Sequence, residues 1–434
     1  MPISDADAVR FALPGATDHG GGVVSFAIFA PRKNSVHLLG DFNDYQPGAD
    51  ALSQREPGYW VAVKHLPTGP ARYQFLIDGD LLICDPYAQG IEEAPGRDEP
   101  AAVIDVGRPI YQWRNEGWQR PPVEDLIIYE LHVGDFSPEG VFRGVTDRLD
   151  YLEDLGVNAL EFMPLCEKDP DEYWGYKPMY PLAVRRDMGS FEDLLTLIDE
   201  AHGRGIAVIL DLVLAHTAVR HPFNRMYPYE ESPWYGPGLG EPNQFALPTL
   251  DFSKPATNSF IRDVQSYWLR VLHVDGFRYD YLPGIGQDLN GQGVPYLMSV
   301  ARDIRPRAYL IGEYIPEVPD TIAHSDIDAV WHERFRIALQ TLLTGKDVTP
   351  YKADRFAEVV AAFDPATQGY GRSGRMINYA ESHDLPRIMQ ALADAGLHGD
   401  DARRRSALAA SVLATLPGEP MLFHGQECGF LSPK

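Results

Sequence analysis

Hydrophobic and polar positions follow two different patterns along this chain, and the change comes near residue 122. Before it, from residue 20 to 107, short runs of alternating character are separated by Gly, Pro and Asp turn residues. The runs cover residues 23–30, 35–39, 59–63 and 72–77. Because side chains alternate between the faces of a strand, each run predicts a short strand. Strands at this spacing predict a small β-sandwich.

After residue 122 the apolar runs become continuous and alternate with helical segments. The predicted strands are residues 126–132, 159–163, 206–213, 276–279, 309–312, 329–331, 376–379 and 421–423. Helices are predicted at residues 143–154, 191–202 and 261–273. Strands that are apolar throughout are typical of a parallel sheet with both faces covered, so the pattern predicts a (β/α)8 TIM barrel. Periodicity alone also allows an open doubly wound sheet, but no glycine-rich phosphate loop follows the first strand.

These patterns divide the chain into four segments. They are an N-terminal tail (1–19), the β-sandwich (20–107), a linker (108–124) and the barrel (125–434). The sequence ends soon after the eighth predicted strand, which predicts a barrel that is incomplete at its C-terminus and lacks its closing helix.

Composition restricts the class of protein and its partners. The chain has 434 residues, 44% of them hydrophobic, and a formal net charge of -24 at pH 7, which predicts a globular protein that binds neither nucleic acid nor an anionic membrane. Its cysteines, Cys84, Cys166 and Cys428, are too scattered for a disulfide framework. No signal peptide is visible, and no apolar run reaches the roughly 18 residues of a membrane span. A cytoplasmic location is therefore expected, while the oligomeric state stays open.

Polar residues recur at the ends of the predicted barrel strands. They are Asp211 and His216 on strand three, Arg278 and Asp280 on strand four, Glu313 on strand five, and His383 and Asp384 on strand seven. A single residue of this kind is more often a cap or an ion-pair partner. A barrel, however, gathers the carboxyl ends of its strands around one pocket, so four such ends predict a single active site.

Paired carboxylates in one pocket are the requirement for retaining glycosidic chemistry. Asp280 is the expected nucleophile, kept ionised by Arg278 on the same strand face, and Glu313 is the expected general acid/base. Asp384 is expected to hold sugar hydroxyls. Hydrogen bonds to the same ring are expected from His216 and His383, and stacking from Tyr176. No HxH or HExxH spacing occurs, so neither a metal nor another cofactor is predicted.

Two known families resemble this sequence. The segments 40–43 (GDFN), 59–60 (YW) and 73–79 (YQFLIDG) resemble a family-48 carbohydrate-binding module. The four strand-end segments resemble the motifs of glycoside hydrolase family 13, the α-amylase superfamily, in the family's order. That likeness implies an α-glucan substrate, with Asp280, Glu313 and Asp384 as the catalytic triad, and a C-terminal β domain that is absent here. The implied substrate-binding residues are Tyr176, Asp211, His216, Arg278 and His383.

The resemblance to individual activities within family 13 is divided. Ala215, directly before His216, and residues 378–384 (NYAESHD) resemble 1,4-α-glucan branching enzymes. Residues 128–134 and 139–144 are similar to maltooligosyl trehalose trehalohydrolases. The first expectation is therefore glucan branching. Hydrolysis, as by an α-amylase or a trehalohydrolase, is the close alternative, and a non-catalytic glucan-binding protein is a remote one.

Overall fold

The chain folds into a β-sandwich followed by a barrel, as seen in a computed structural model. The structure describes residues 3–94, 96–288, 290–320, 325–370 and 376–431. Within these residues, no helix is both long enough and apolar enough to cross a membrane.

The sandwich consists of two antiparallel sheets that face each other. Its strands are β1 (Gly15–Asp18), β2 (Val23–Phe29), β3 (Val36–Gly40), β4 (Asp50–Ala51), β5 (Ser53–Glu56), β6 (Tyr59–His65), β7 (Gly69–Ile77), β8 (Leu81–Ile83), β9 (Ile91–Glu92) and β10 (Ala101–Val106). One sheet has the order β1-β2-β6-β5, and the other has the order β4-β3-β7-β10-β9 with β8 paired to β7. The four predicted runs form the central strands β2, β3, β6 and β7.

Residues 5–18, which lie in the segment predicted to be a tail, pack on this domain. Residues 15–18 form β1, which pairs antiparallel with β2. The helix Asp5–Phe11 precedes β1, and Val9 packs with Ala27 and Val61 on the outer face of the sheet. This cover explains why β2 is buried on both faces.

The inner faces of the two sheets supply the core of the sandwich. Val24, Phe26 and Ile28 alternate along β2, and they pack in one cluster with Phe75 and Trp60. Trp60 is 7% exposed and donates its indole N–H to the carbonyl of Ala30 at 3.1 Å. The indole therefore belongs to the core of the sandwich.

In the described part of the chain, eight parallel strands close into a barrel. They are β11 (Ile128–Leu131), β12 (Ala159–Phe162), β15 (Ala207–Leu212), β16 (Gly276–Tyr279), β17 (Tyr309–Gly312), β18 (Ala329–Trp331), β19 (Met376–Tyr379) and β20 (Glu419–Phe423). The short hairpin of β13 (Cys166–Lys168) and β14 (Pro178–Val184) follows β12. All eight predicted strands are thus confirmed, and β20 closes the barrel by pairing with β11.

Helices and long loops connect the strands of the barrel. The α-helices after β10 are Val133–Phe136, Phe142–Thr146, Leu149–Leu155, Phe191–Gly203, Pro222–Met226, Pro255–Ser266, Leu282–Ile285, Val294–Ile304, Glu333–Thr344, Phe356–Ala361, Ile388–Asp394 and Gly399–Leu413. The single helix predicted over residues 143–154 is two helices, because Arg148 leaves helical geometry between them (φ -114°, ψ 9°). After β20, the described residues contain no helix.

The interior of the barrel changes from apolar to charged along the strands. Ile128, Ala159, Ile209 and Ile311 belong to a buried apolar cluster inside the barrel. Two positions after each of these residues, on the same strand or just past its end, lies an acidic residue. Side chains two positions apart on a strand share a face, so these acidic residues also point into the barrel. These are Glu130, Glu161, Asp211 and Glu313. The carboxyl ends of the strands therefore carry the charge, while the other end of the barrel is packed with hydrocarbon.

The linker and the sandwich are both packed against the barrel. In the linker, Trp113 stacks on His273 with ring centroids 4.2 Å apart, and Trp118 stacks on His202 at 4.4 Å. In the sandwich, Tyr87 donates its hydroxyl to Asp263 on the helix Pro255–Ser266 at 3.1 Å. These contacts fix the linker and the sandwich against the barrel.

Candidate active site

One buried guanidinium, that of Arg278, organises the carboxyl ends of three neighbouring strands. Its Nη1 donates to both carboxylate oxygens of Asp211, at 2.8 and 2.9 Å, and to Oδ1 of Asp280 at 3.1 Å. Its Nη2 lies 3.0 Å from Oε2 of Glu313. The indole of Trp331 lies against the guanidinium, with 4.4 Å between Cζ and the ring centroid. Three carboxylates therefore converge on a single cation.

The register of the strands explains this convergence. Asp211 on β15 is the direct neighbour of Arg278 on β16. Asp280 and Glu313 each follow the last residue of their strands, β16 and β17, which pair in parallel. The backbone N–H of Tyr281 donates to Oε2 of Glu313 at 2.9 Å, and Tyr281 adopts a left-handed conformation with φ 45°. The turn after β16 thus orients the carboxylate that follows β17.

The remaining predicted residues are linked to this group through Asp211. Tyr176 donates its hydroxyl to Asp211 at 2.6 Å, and its ring stacks on His383 with centroids 4.9 Å apart and an angle of 12°. Nε2 of His216 hydrogen-bonds the carbonyl of Tyr176 at 2.9 Å. Nε2 of His383 lies 3.2 Å from Oδ1 of Asp384. The structure therefore joins all eight predicted residues in one network of contacts.

The ionisation of Asp280 differs from the expectation that Arg278 alone keeps it charged. Burial and the adjacent Glu313 carboxylate raise the pKa of Asp280 well above its usual range, and Arg278 only opposes this shift. The physical reason is that Arg278 divides its charge among three carboxylates, so Asp280 and Glu313 together repel a second negative charge.

The two histidines of the site differ in charge state. Burial lowers the pKa of His216, so this ring is neutral and donates to the Tyr176 carbonyl. Burial would also lower the pKa of His383, but the carboxylate of Glu130, together with Asp384, raises it to about 10. Nδ1 of His383 lies 2.6 Å from Oε1 of Glu130. One histidine is therefore a neutral donor and the other is a cation.

Family models match both parts of this structure. The model described as the α-amylase catalytic domain matches residues 112–236 and 242–434, which is more than half of the chain. The chain belongs to the α-amylase family. The model of carbohydrate-binding module 48, the isoamylase N-terminal domain, matches residues 14–88. The α-amylase family assignment and the TIM barrel with its preceding sandwich, expected from the sequence, are both confirmed.

Curated relatives of this chain include proteins named for two different activities. This chain is 28% identical to the malto-oligosyltrehalose trehalohydrolase of Deinococcus radiodurans over 85% of its own length and 63% of that protein. It is 33% identical to the 1,4-alpha-glucan branching enzyme of Desulfitobacterium hafniense over 59% of its length and 42% of that protein. The chain thus spans less than two thirds of either relative.

Solved structures of the same fold include a group B Streptococcus pullulanase in complex with maltotetraose. The two structures superimpose with a TM-score of 0.81 at 21% sequence identity, covering 96% of this α-amylase family member and 63% of the pullulanase. The likeness supports the architecture of sandwich and barrel.

Sequence reasoning missed two acidic residues below the predicted site. Glu130 on β11 and Glu161 on β12 are each 1% exposed, and both occur within strands that were treated only as apolar runs. The available signal was the charge itself, because a carboxylate is almost never fully buried without a partner or a function.

Two aromatic residues near Asp280, Phe245 and Tyr281, were also missed. Phe245 is 53% exposed, and its ring meets that of Tyr281 edge to face, with centroids 5.3 Å apart and an angle of 81°. Phe245 also lies 6.0 Å from the ring of His216. The backbone N–H of Tyr281 donates to Glu313, so this aromatic pair lies at the turn that orients that carboxylate.

Proposed function

We propose that this protein cleaves α-1,4-glucosidic bonds in malto-oligosaccharide chains with retention of anomeric configuration. The observation that carries the proposal is the pair Asp280 and Glu313, both bound by Arg278 at adjacent strand ends. Two carboxyl groups in one pocket, one as nucleophile and one as acid/base, are what a covalent glycosyl mechanism uses. Membership of the α-amylase family and the matching carbohydrate-binding module support an α-glucan as the substrate.

The proposed reaction has two steps, and the proton that Glu313 gives up in the first step returns to it in the second. Asp280 attacks the anomeric carbon, the bond to the leaving oxygen breaks, and Glu313 donates its proton to that oxygen. An acceptor hydroxyl then transfers its proton to Glu313 and attacks the anomeric carbon, which releases Asp280 as a carboxylate. Arg278 stabilises the negative charge that alternates between the two carboxyl groups.

The donor sugar is proposed to lie against Tyr176. The Tyr176 ring offers an apolar face for sugar C–H groups, and the contact with His383 fixes its orientation. Asp384 has a side chain that is 51% exposed beside His383, so its carboxylate is accessible to sugar hydroxyls. His216 supplies a further hydrogen-bonding group, and Asp211 holds Tyr176 and Arg278 in place.

We propose water as the acceptor, with a trehalohydrolase-type hydrolysis as the first candidate. Matches to trehalohydrolases extend over most of the chain, for example 85% of it in the Deinococcus relative, and so include both the binding module and the barrel. The branching enzyme of Desulfitobacterium matches over only 59% of the chain. The greater extent of similarity therefore favours hydrolysis over the branching activity that was first expected.

Glucan branching is the second candidate, because the residues around His216 and His383 favour it. Ala215 stands directly before His216, and the higher identity of 33% belongs to a branching enzyme. In this alternative, the 6-hydroxyl of a second glucan chain replaces water in the second step. The chemistry at Asp280 is the same in both candidates.

Product analysis separates these candidates. The purified chain is incubated with amylose and, separately, with a malto-oligosyltrehalose, and reducing ends, free trehalose and α-1,6 linkages are quantified. We expect new reducing ends from amylose, or free trehalose from the malto-oligosyltrehalose, and no α-1,6 linkages. The newly formed reducing end should first appear as the α-anomer, which is the retained configuration. Accumulation of α-1,6 linkages at a constant number of reducing ends would instead establish branching. An Asp280→Asn preparation serves as the blank. If the parent consumes neither substrate faster than this blank, the proposed activity is refuted.

A further inference from the structure

Glu130 and Glu161 form a carboxylate pair inside the barrel, one layer below the proposed active site. They are direct neighbours in the register of β11 and β12, and each is 1% exposed. Oε1 of Glu130 accepts a hydrogen bond from Nδ1 of His383 at 2.6 Å. The other three carboxyl oxygens of the pair are buried without a hydrogen-bond partner among the residues that the structure describes. The proposed reaction uses neither residue.

Two adjacent buried carboxyl groups do not both remain ionised, because each charge loses its hydration and repels the other. Only Glu130 has a hydrogen-bond donor with which to stabilise a negative charge. Burial and the proximity of Glu130 raise the pKa of Glu161 well above its usual range. The proton of the pair therefore resides on Glu161, and the negative charge resides on Glu130.

His383 is the group on which this charge acts. The titratable and charged groups around it are Glu130, Glu161, Tyr176, Asp211, Arg278 and Asp384. Its Nδ1 faces Glu130, while its Nε2 lies 3.2 Å from Asp384. Only an imidazolium donates from both ring nitrogens at once, whereas a neutral ring leaves one carboxylate without its donor.

We propose that Glu130 is a positioning residue that keeps His383 as an imidazolium beneath the donor sugar, and that Glu161 remains a neutral carboxylic acid beside it. The imidazolium would hold Asp384 through Nε2 and would stack as a cation on Tyr176. Glu130 would thus control the donor side of the site without touching the substrate. The link to sugar binding rests on the proposed function, but the charge states of these three residues do not.

The test compares the same substitution at two neighbouring positions of equal burial, Glu130→Gln and Glu161→Gln. Histidine-selective isotope labelling and NMR titration follow His383, whose signal is assigned by its absence from a His383→Asn variant. We expect the parent ring to stay protonated beyond pH 8 and Glu130→Gln to lower its titration midpoint by about two pH units or more. Glu161→Gln should leave that midpoint unchanged, because an amide resembles the neutral acid.

Kinetics provide a second measurement. In Glu130→Gln, the alkaline limb of the kcat/KM profile should move to lower pH, while Glu161→Gln keeps the parent profile. Glu130→Asp, which retains the charge, should restore the midpoint and remains informative if Glu130→Gln does not fold. A neutral-range titration of His383 in the parent, or equal shifts in the two Gln variants, would overturn the proposal. Because the NMR titration needs no substrate, its result stands even if no glucan is cleaved.

Discussion

Arg278 and Asp280, two residues apart at the end of one barrel strand, form a buried ion pair in which Nη1 lies 3.1 Å from Oδ1. The same guanidinium reaches Glu313 through Nη2 at 3.0 Å. This shared cation makes the two carboxyl groups a coupled pair, so that the charge of one depends on the proton of the other. The first two predictions follow from dividing the proposed roles between them.

Asp280→Asn should lower kcat on amylose by a factor of about 10⁴ or more, as expected for loss of a nucleophile. The fold should persist, because asparagine matches aspartate in size and removes a buried negative charge that burial and the adjacent Glu313 disfavour. The measurements are the initial rate and the thermal unfolding midpoint. Asp354→Asn, at an exposed position, is the matched control. An Asp280→Asn variant with a tenth of the parent activity would assign the nucleophile elsewhere.

Glu313→Gln should separate protonation of the leaving group from nucleophilic attack. A maltosyl fluoride leaves as fluoride ion without a proton, so its C–F bond can break when the acid is missing. We expect Glu313→Gln to be inactive on amylose yet to release fluoride, measured with an ion-selective electrode. Asp280→Asn should release none. Fluoride release by neither variant, or by both, would contradict the division of roles.

The barrel and its site were predictable because they depend on strong local patterns. Each barrel strand is a mostly apolar run, and the strand-end rule then selects residues such as Asp211, Asp280 and Glu313 without knowledge of their contacts. The sandwich edge strands lack such a pattern. The residues of β5, for example, are mostly exposed and polar, so the strand exists only through its pairing with β6.

The unpredicted parts of the site depend on tertiary contacts. Glu130 acquires its hydrogen-bond partner only in the folded protein. There β19 and the loop after it bring Nδ1 of His383 within 2.6 Å of Oε1 of Glu130, although 253 positions separate the two residues. Phe245 lies in a loop without periodicity, and its proximity to Tyr281 is set by the folding of the long segment between β15 and β16. Local periodicity carries no information about either pairing.

Phe245→Ala should weaken binding on the leaving-group side of the cleaved bond. The Phe245–Tyr281 pair lies beside Glu313, which faces the leaving oxygen, and an aromatic contact contributes about 1 kcal/mol, equivalent to about fivefold in KM for amylose. Maltosyl fluoride has no sugar on that side, so its KM should change far less. Phe356→Ala, which removes a similarly exposed ring, is the control. Equal effects on both substrates would exclude an acceptor-side role.

Glu419→Gln should remove a pH dependence of stability. Glu419, at the start of β20, is 8% exposed, and burial raises its pKa to about 8. Between about pH 4.3, the value for an unfolded chain, and about pH 8, the folded state binds more protons than the unfolded state. Stability should therefore fall as pH rises through this window, by at most about 1.4 kcal/mol per pH unit, and then level off.

Thermal unfolding of parent and variant at pH 5, 6, 7 and 8 measures this effect. The unfolding midpoint of Glu419→Gln should rise relative to that of the parent as the pH increases. Glu153→Gln, at an exposed position, should show no such trend. A constant difference across the four pH values would mean that Glu419 is ionised in the folded state throughout.

Gly276→Ala should disrupt the strand that carries Arg278. A Cβ at Gly276 would lie 2.2 Å from the carbonyl oxygen and 2.5 Å from the amide nitrogen of Tyr309. Both are backbone atoms of the paired strand β17, so relief requires that β16 and β17 separate. We expect a loss of about 1–3 kcal/mol or more in the free energy of unfolding.

The loss of activity in Gly276→Ala should exceed the loss expected from unfolding alone, because the same displacement moves Arg278 relative to Glu313. The activity per folded molecule, measured well below the unfolding midpoint, tests this coupling. Gly117→Ala is the control, since a Cβ at that linker position meets no atom within 4 Å. If Gly276→Ala is destabilised but keeps parental activity per folded molecule, the carboxylates of Asp280 and Glu313 keep their spacing when the strands shift, and the coupling is refuted.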